Sequence, residues 1–236
     1  MVDVGANLGS ISLPLAKRFP AWRFLGIEAH RGLAGVYAAN ALNNQLDNVE
    51  WLHAAAGRSE GLITFPAARL SAHGNFGDMS ALYSNGPTER VRVCALDDIA
   101  PPDTKVIKID VQGAEMDVLA GASALIARAK PTLLVEATRL EGRADANTTK
   151  VLEYLKSAGY RTYSFFSPFI TSQRLKYSDS KLAIMGDYSI VALPEGVEPL
   201  WGLPEITNAS EPWPVRFELY PYMQRYFIPA ASPEPR

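Results

Sequence analysis

Asp3-Val4-Gly5-Ala6-Asn7-Leu8-Gly9 links an apolar run to a helix-period stretch through a glycine-rich turn. A turn of this kind after a first strand seats a cofactor at the strand's carboxyl end. Glu28 closes the second apolar run about twenty residues after Gly9, the interval at which an acid accepts hydrogen bonds from ribose hydroxyls. Together these residues predict a ligand containing a nucleoside, against the plainer reading of a structural tight turn. Asn7 bears on which nucleoside it is. The dinucleotide fingerprint needs glycine at that position so that backbone can approach a pyrophosphate, and an asparagine side chain would obstruct it. S-adenosylmethionine has the adenosine without phosphate, and its ammonium and sulfonium suit nearby carboxylates such as Asp3. Glu28 would repel the 2′-phosphate of NADP, which leaves NAD as the dinucleotide competitor.

Further candidates stand at later strand ends. Asp110 ends the run KVIKI and opens Asp110-Val111-Gln112-Gly113-Ala114-Glu115 before a helix. It is read as a contact to the donor's methionine part or to the acceptor, with helix capping as the alternative. Glu115 suits the helix dipole as well as it suits a site. Glu136 ends the next strand and is read as a wall of an acceptor pocket, or as a buried acid bonded to backbone. His30, His53 and His73 are the only histidines, and no two have metal-ligand spacing, so no metal site is expected. His73 sits in a long loop as a candidate base for a substrate hydroxyl, or simply in solvent. His53 reads as structural, and His30 as a border of the adenosine. Cys94 looks like a small strand residue, and Asp97-Asp98 a turn or a helix cap.

Positioning these residues calls for a sheet. Short β-branched runs alternate with helix-period stretches, the pattern of successive βαβ units around a mostly parallel sheet with helices on both faces. Seven strands are predicted: 1–4, 23–28, 49–54, 105–109, 132–136, 160–165 and 188–193. An added pair, 61–65 and 91–96, lies beside them. Leu8, Ile11, Leu15 and Phe19 mark a first helix, which tolerates Pro14 only near its first turn. Leu33, Val36, Tyr37 and Asn40 mark a second that stops at Asn43-Asn44. Val118, Leu119, Ala122, Leu125 and Ile126 mark a third. Asn147-Thr148-Thr149 is expected to cap a fourth carrying Val151, Leu152, Leu155 and Ala158.

Residues 66–90 form a polar connection whose length predicts a loop that approaches substrate. Residues 166–187 interrupt the last two strands, with Arg174, Lys176 and Lys181 lending local basic character. From Pro194 onward lie 9 of the 17 prolines, interleaved with Trp201, Trp213, Phe217, Tyr220, Tyr222, Tyr226 and Phe227. Neither helix nor central strand persists in such a stretch. The expected division is a cofactor-binding domain over 1–193 and an extension over 194–236, packed on the domain or on a second copy of the chain.

The 236 residues suit one large α/β domain; 23 basic against 25 acidic residues give a net charge of −2. No global field attracts a polyanion, so nucleic acid is not the expected partner. No apolar run spans a bilayer, the single Cys94 forms no internal disulfide, and the start carries no signal-peptide pattern. A cytoplasmic location without membrane contact is expected.

With these residues in place, the chain resembles the FkbM-type methyltransferases, S-adenosylmethionine-dependent O-methyltransferases with a seven-stranded, Rossmann-like class I fold. The likeness is carried by VDVGANLGS at 2–10, GIEA at 26–29, NNQLDNVEWLHAAAG at 43–57, VRVCALDDI at 91–99, VIKIDVQGAEMDVLAGA at 106–122 and PTLLVEA at 131–137. The resemblance implies a donor site built from Asp3, Gly5, Asn7, Gly9, Glu28 and the segment around Ala54-Ala55, with Asp110 near the methionine end. The acceptor would sit above Asp110, Glu136 and the loop around 75–80. Ala29 stands where the family often has proline and Gln112 where it often has glutamate. Neither Ala29 nor Gln112 is therefore assigned chemistry, and Ala29 and Ala55 are counted as donor contacts by position. Helices precede the first strand in the family, whereas Met1 falls within it here.

Methyl transfer from a sulfonium asks the protein mainly to align nucleophile and methyl and to exclude water. An alcohol must also lose its proton, for which Asp110 and His73 are the candidate bases. The expected reaction is O-methylation of a small-molecule or sugar hydroxyl. The competing readings are a cofactor-fold binding or scaffold module without catalysis, with the aromatic tail as its interface, and an NAD-dependent oxidoreductase.

Overall fold

The structure, a computed structural model, describes residues 1–67, 86–137, 139–140, 143–168, 186–199 and 202–209. Two compact units divide the chain, residues 1–136 and 137–236.

The first unit runs β1 (Val2–Val4), α1 (Ser12–Arg18), β2 (Phe24–Glu28), α2 (Arg31–Asn43), β3 (Val49–His53), β4 (Ala55–Ala56), β5 (Gly61–Pro66), β6 (Thr88–Cys94), α3 (Leu96–Ile99), β7 (Val106–Ile109), α4 (Glu115–Ala120), α5 (Ser123–Ala129) and β8 (Thr132–Glu136). Five of these strands are parallel neighbours in the order β8-β7-β1-β2-β3. Every residue of β1 and β2 is buried, as expected for central strands of a parallel sheet covered on both faces. At the edge, β3 buries only Val49. The added pair is present as β5 and β6, antiparallel, with β4 joining β6 in parallel as a separate small sheet.

Register follows hydrophobic parity. Val2 and Val4 align with Leu25 and Ile27 on one side and with Ile107 and Ile109 on the other, and these last align with Leu133 and Val135. All eight are buried, and a slip of one residue would turn the whole set toward the opposite face. Asp3, Gly26, Lys108 and Leu134 occupy the intervening row.

Two helices differ from expectation. In α1 the buried residues are Ser12, Leu13 and Ala16, whereas Leu8, Ile11 and Phe19 of the predicted stripe are exposed. Pro14 can occupy only the first turn, so the helix starts at Ser12 and turns a different face inward. The predicted third helix is two short ones, α4 and α5, although all five of its core residues are buried as expected. The break falls at Gly121, which lies against backbone: a Cβ there would sit 2.0 Å from the Gly57 carbonyl oxygen. Asp97 then caps α5 from a distance, accepting from the amides of Ala124 and Leu125 at 3.0 and 2.7 Å.

The second unit contains β9 (Arg139–Leu140), β10 (Arg143–Ala144), α6 (Ala146–Ser157), β11 (Tyr160–Pro168) and β12 (Gly186–Pro194). The long strands pair antiparallel from Tyr160↔Pro194 to Pro168↔Gly186. With them the seven strands of the predicted mostly parallel sheet are all present. The cap of α6 is Asp145, which accepts from the Thr148 amide at 2.7 Å, so the helix starts ahead of the predicted Asn147-Thr148-Thr149. The start of the proline-rich stretch lies against β11: Ser164 donates to the Pro204 carbonyl and Ile206 to that of Thr162. Arg161 binds Glu198 and Glu205 over the same strand. Residues 68–85 with His73, residues 169–185, and the tail from 210 lie outside the described residues.

Candidate functional site

The aligned residues Ile27, Val4, Ile109 and Val135 define one line across four parallel strands. One position further along the chain, that line becomes Glu28, Gly5, Asp110 and Glu136, with His53 opposite Glu28 at the edge. Residues distant in sequence thus meet at the carboxyl ends of neighbouring strands about 4.8 Å apart, the edge at which open α/β sheets bind ligands.

The turn after β1 is closed upon itself. Gly5 and Ala6 donate to the Ile27 carbonyl, Asn7 to Glu28 Oε2, Leu8 to the Asn7 side-chain oxygen, and Gly9 to the Ala6 carbonyl, all within 3.0 Å. No N–H from Gly5 to Gly9 is left to cradle a phosphate, which is how glycine loops bind nucleotides. The geometry demands Gly5, with φ +72°, because a Cβ there would fall 1.8 Å from the Asp110 carbonyl oxygen. Asn7 has φ 50° and tolerates it better than most residues.

Glu28 accepts the Asn7 amide on one oxygen and the His30 amide, at 2.7 Å, on the other. One lone pair per oxygen is left over, enough for a vicinal diol such as a ribose. Burial pushes its carboxyl above the usual range, while the His30 and Asn7 amides pull the other way. His30 itself is buried, and its ring Nδ1 caps α2 by accepting the Leu33 amide at 3.2 Å. His53 Nε2 lies 3.1 Å from the Ala29 carbonyl. Ala29 and Ala55 are half-buried just past β2 and in β4, and Ala55 uses its carbonyl to accept the Cys94 thiol.

Asp3 is 1% exposed, and neither carboxylate oxygen has a hydrogen-bond partner. Lys108 Nζ stands 3.3 Å from Asp3 Oδ1, an ion pair by distance but not an aligned hydrogen bond. The same ammonium lies 3.2 Å from Asp110 Oδ2 and donates to the Gly5 carbonyl at 3.3 Å. Burial lowers the Lys108 pKa, but the two carboxylates outweigh it, and the net shift is upward. A buried carboxylate lacking donors fits an ammonium ligand, so this edge suits the amino-acid end of S-adenosylmethionine as well as its ribose.

At the other end of the row, Gln112 Nε2 donates to both Glu136 oxygens, at 2.9 and 3.0 Å, and lies 3.2 Å from Asp110 Oδ1. It does so from a left-handed backbone, φ 53°, followed by Gly113 at φ 102°. Non-glycine residues held there carry strain that clusters at functional sites. Burial, and then the Asp110 charge, pushes the Glu136 carboxyl up to about 8. Glu115 is buried and accepts the Gly113 amide at 2.9 Å, closing the same turn.

Of the residues singled out in the sequence, the structure brings Asp3, Gly5, Asn7, Glu28, Asp110 and Glu136 to one edge. Gly9 is buried under the turn, where a Cβ would meet Leu13. Two residues were missed as participants, Lys108 and Gln112. Lys108 carried a signal, a lone charge in the apolar strand V-I-K-I; Gln112 carried only its place between two acids. Among the described residues no three His, Cys, Asp or Glu side chains are grouped to hold a metal ion, and no helix is long and apolar enough to cross a membrane.

The FkbM methyltransferase domain matches residues 3–162, more than half of the chain, and the chain belongs to that family. Among solved structures it is similar to an FkbM methyltransferase of Methylobacillus flagellatus, with a TM-score of 0.51 and 17% identity, covering 81% of this chain and 42% of that one. It is also similar to the O-methyltransferase TomG of Streptomyces achromogenes, solved in complex with SAM, with a TM-score of 0.48 and 13% identity, covering 83% and 72%. At 17% identity the likeness to the FkbM structure is one of fold alone. A tRNA (guanine-N(7)-)-methyltransferase of Pediococcus pentosaceus is 30% identical over 53 residues, 22% of this chain and 25% of that protein. The chain thus spans less than half the length of the first of these solved structures and a quarter of the curated relative.

Proposed function

We propose that the chain binds S-adenosylmethionine at the carboxyl edge of its parallel strands and transfers the methyl group to a hydroxyl of a small molecule or sugar. The observation that carries this reading is the self-closed turn from Gly5 to Gly9, which has no amide to offer a diphosphate. Beside it, the buried Asp3 carboxylate, which has Lys108 on one oxygen and no hydrogen-bond donor, would hold the ammonium and Glu28 the ribose hydroxyls. S-adenosylmethionine would supply a methyl group already activated by its sulfonium. The protein then has to hold donor and acceptor in line, and Asp110, within the row, would take the proton that an acceptor hydroxyl must shed. Titration calorimetry of the full chain with S-adenosylmethionine, S-adenosylhomocysteine and NAD tests the donor. Micromolar binding of the first two is expected, and binding of NAD alone would refute the reading. Transfer of labelled methyl to a panel of phenols, monosaccharides and disaccharides tests the acceptor; label appearing only on amines or carbons would overturn the hydroxyl assignment.

A further inference from the structure

We propose that Asp110 and Glu136 form a carboxylate pair that shares a single proton, bridged by Gln112 and biased by Lys108, with Asp110 taking the acceptor's proton and Glu136 positioning Asp110. This rests on the reading above, because it assumes an acceptor at this end of the row. Asp110 and Glu136 follow the aligned residues Ile109 and Val135 on adjacent parallel strands. One amide nitrogen, Gln112 Nε2, reaches both oxygens of Glu136 and one of Asp110. Two carboxylates drawn together in this way repel unless one holds a proton, which also supplies the hydrogen for a bond between them. Lys108 decides which one. Its ammonium lies on Asp110 Oδ2, and Glu136 has no cation beside it among the described residues, so the charge belongs on Asp110 and the proton on Glu136. The other charged groups facing the pair are Glu115, which adds to the repulsion on Glu136, and Asp3 behind Lys108. The upward shift of the Glu136 carboxyl agrees with this placement.

In the transfer, the acceptor O–H bond breaks as the O–C bond forms, and the S–C bond breaks with its electron pair left on sulfur. The released proton goes to Asp110, which makes the pair neutral, and then to water. Loss of the Glu136 proton at high pH would set two charges against each other and turn Asp110 away.

The test is a carbon-13 NMR titration of labelled carboxylates in the full chain, read beside the pH dependence of kcat for the fastest acceptor of the panel. A carboxyl with a midpoint near 8 is expected, absent in Glu136→Gln. The midpoint should fall by a pH unit or more in Asp110→Asn and rise in Lys108→Met. kcat should fall above that midpoint; Glu136→Gln, a permanent donor, should lose this falling limb whatever its effect on the plateau, and Asp110→Asn should lose about 100-fold. A Glu136 midpoint unmoved by both Asp110→Asn and Lys108→Met, or a kcat limb retained in Glu136→Gln, overturns the pair. Failure to bind S-adenosylmethionine at all sinks the parent reading and the pair's role in transfer with it.

Discussion

The two halves of the strand-end row are organised by opposite means. Around Gly5 and Glu28, backbone amides satisfy the polar groups, and the charges are held by hydrogen bonds local to the turn. Around Asp110 and Glu136, side chains do the holding: one amide and one ammonium serve three carboxylates with Asp3 included. A backbone-lined half is fixed once the chain folds and suits a constant ligand. A half held by titratable side chains is sensitive to pH and to single substitutions, and suits the step at which a proton moves. Lys108 joins the halves, touching Asp3, the Gly5 carbonyl and Asp110.

Four changes would break or sharpen this contrast. Gly5→Ala combines a left-handed backbone with a Cβ driven into the Asp110 carbonyl. It should cost about 3 kcal/mol or more, seen as a drop of roughly 10 °C in Tm with loss of S-adenosylmethionine binding. A stable variant that still binds would show that the halves are not in contact through backbone. Glu28→Ala strands the Asn7 and His30 amides. Calorimetry should report about 100-fold weaker S-adenosylmethionine binding, with the carboxyl titration at the far end of the row unchanged.

The third change is of pH. The folded Glu136 carboxyl titrates near 8, above its ordinary value of 4.5, so between these values the folded chain binds more protons than the unfolded. Stability is therefore full below the ordinary range and declines as pH rises toward 8, by a few degrees of Tm. Glu136→Gln should flatten that slope, whereas Glu28→Gln should not remove it. Least of all, Asp97→Ala removes the distant cap of α5 and should cost about 1 kcal/mol in chemical denaturation, with donor affinity unaltered.

What the sequence disclosed follows the reach of its signals. Gly5, Glu28, Asp110 and Glu136 were legible because each ends an apolar run, and parallel strands carry their chemistry at that end. The family blocks reinforced the same positions. Lys108 and Gln112 were not, since what they do depends on which strands are neighbours: Lys108 meets Asp3 only through the pairing of β7 with β1. Helix faces failed where one residue overruled periodicity. Pro14 reset the start of α1, and a stretch whose apolar spacing is unbroken divides at Gly121, where only glycine fits against the Gly57 backbone. Asp145 outdid the nearby Asn and Thr residues as a cap because its carboxylate reaches the Thr148 amide.

Because Glu28, Gly5, Asp110 and Glu136 share one alignment, their spacing is inherited from the ladder of the sheet rather than from their own contacts. A single residue inserted within β7 would rotate Lys108 and Asp110 to the opposite face while leaving β1 and β2 in place. Such a length change would uncouple the proton-handling end from the nucleoside end without touching a single functional side chain. Indels in β7 are therefore expected to be far scarcer among working relatives than indels in the surface connections.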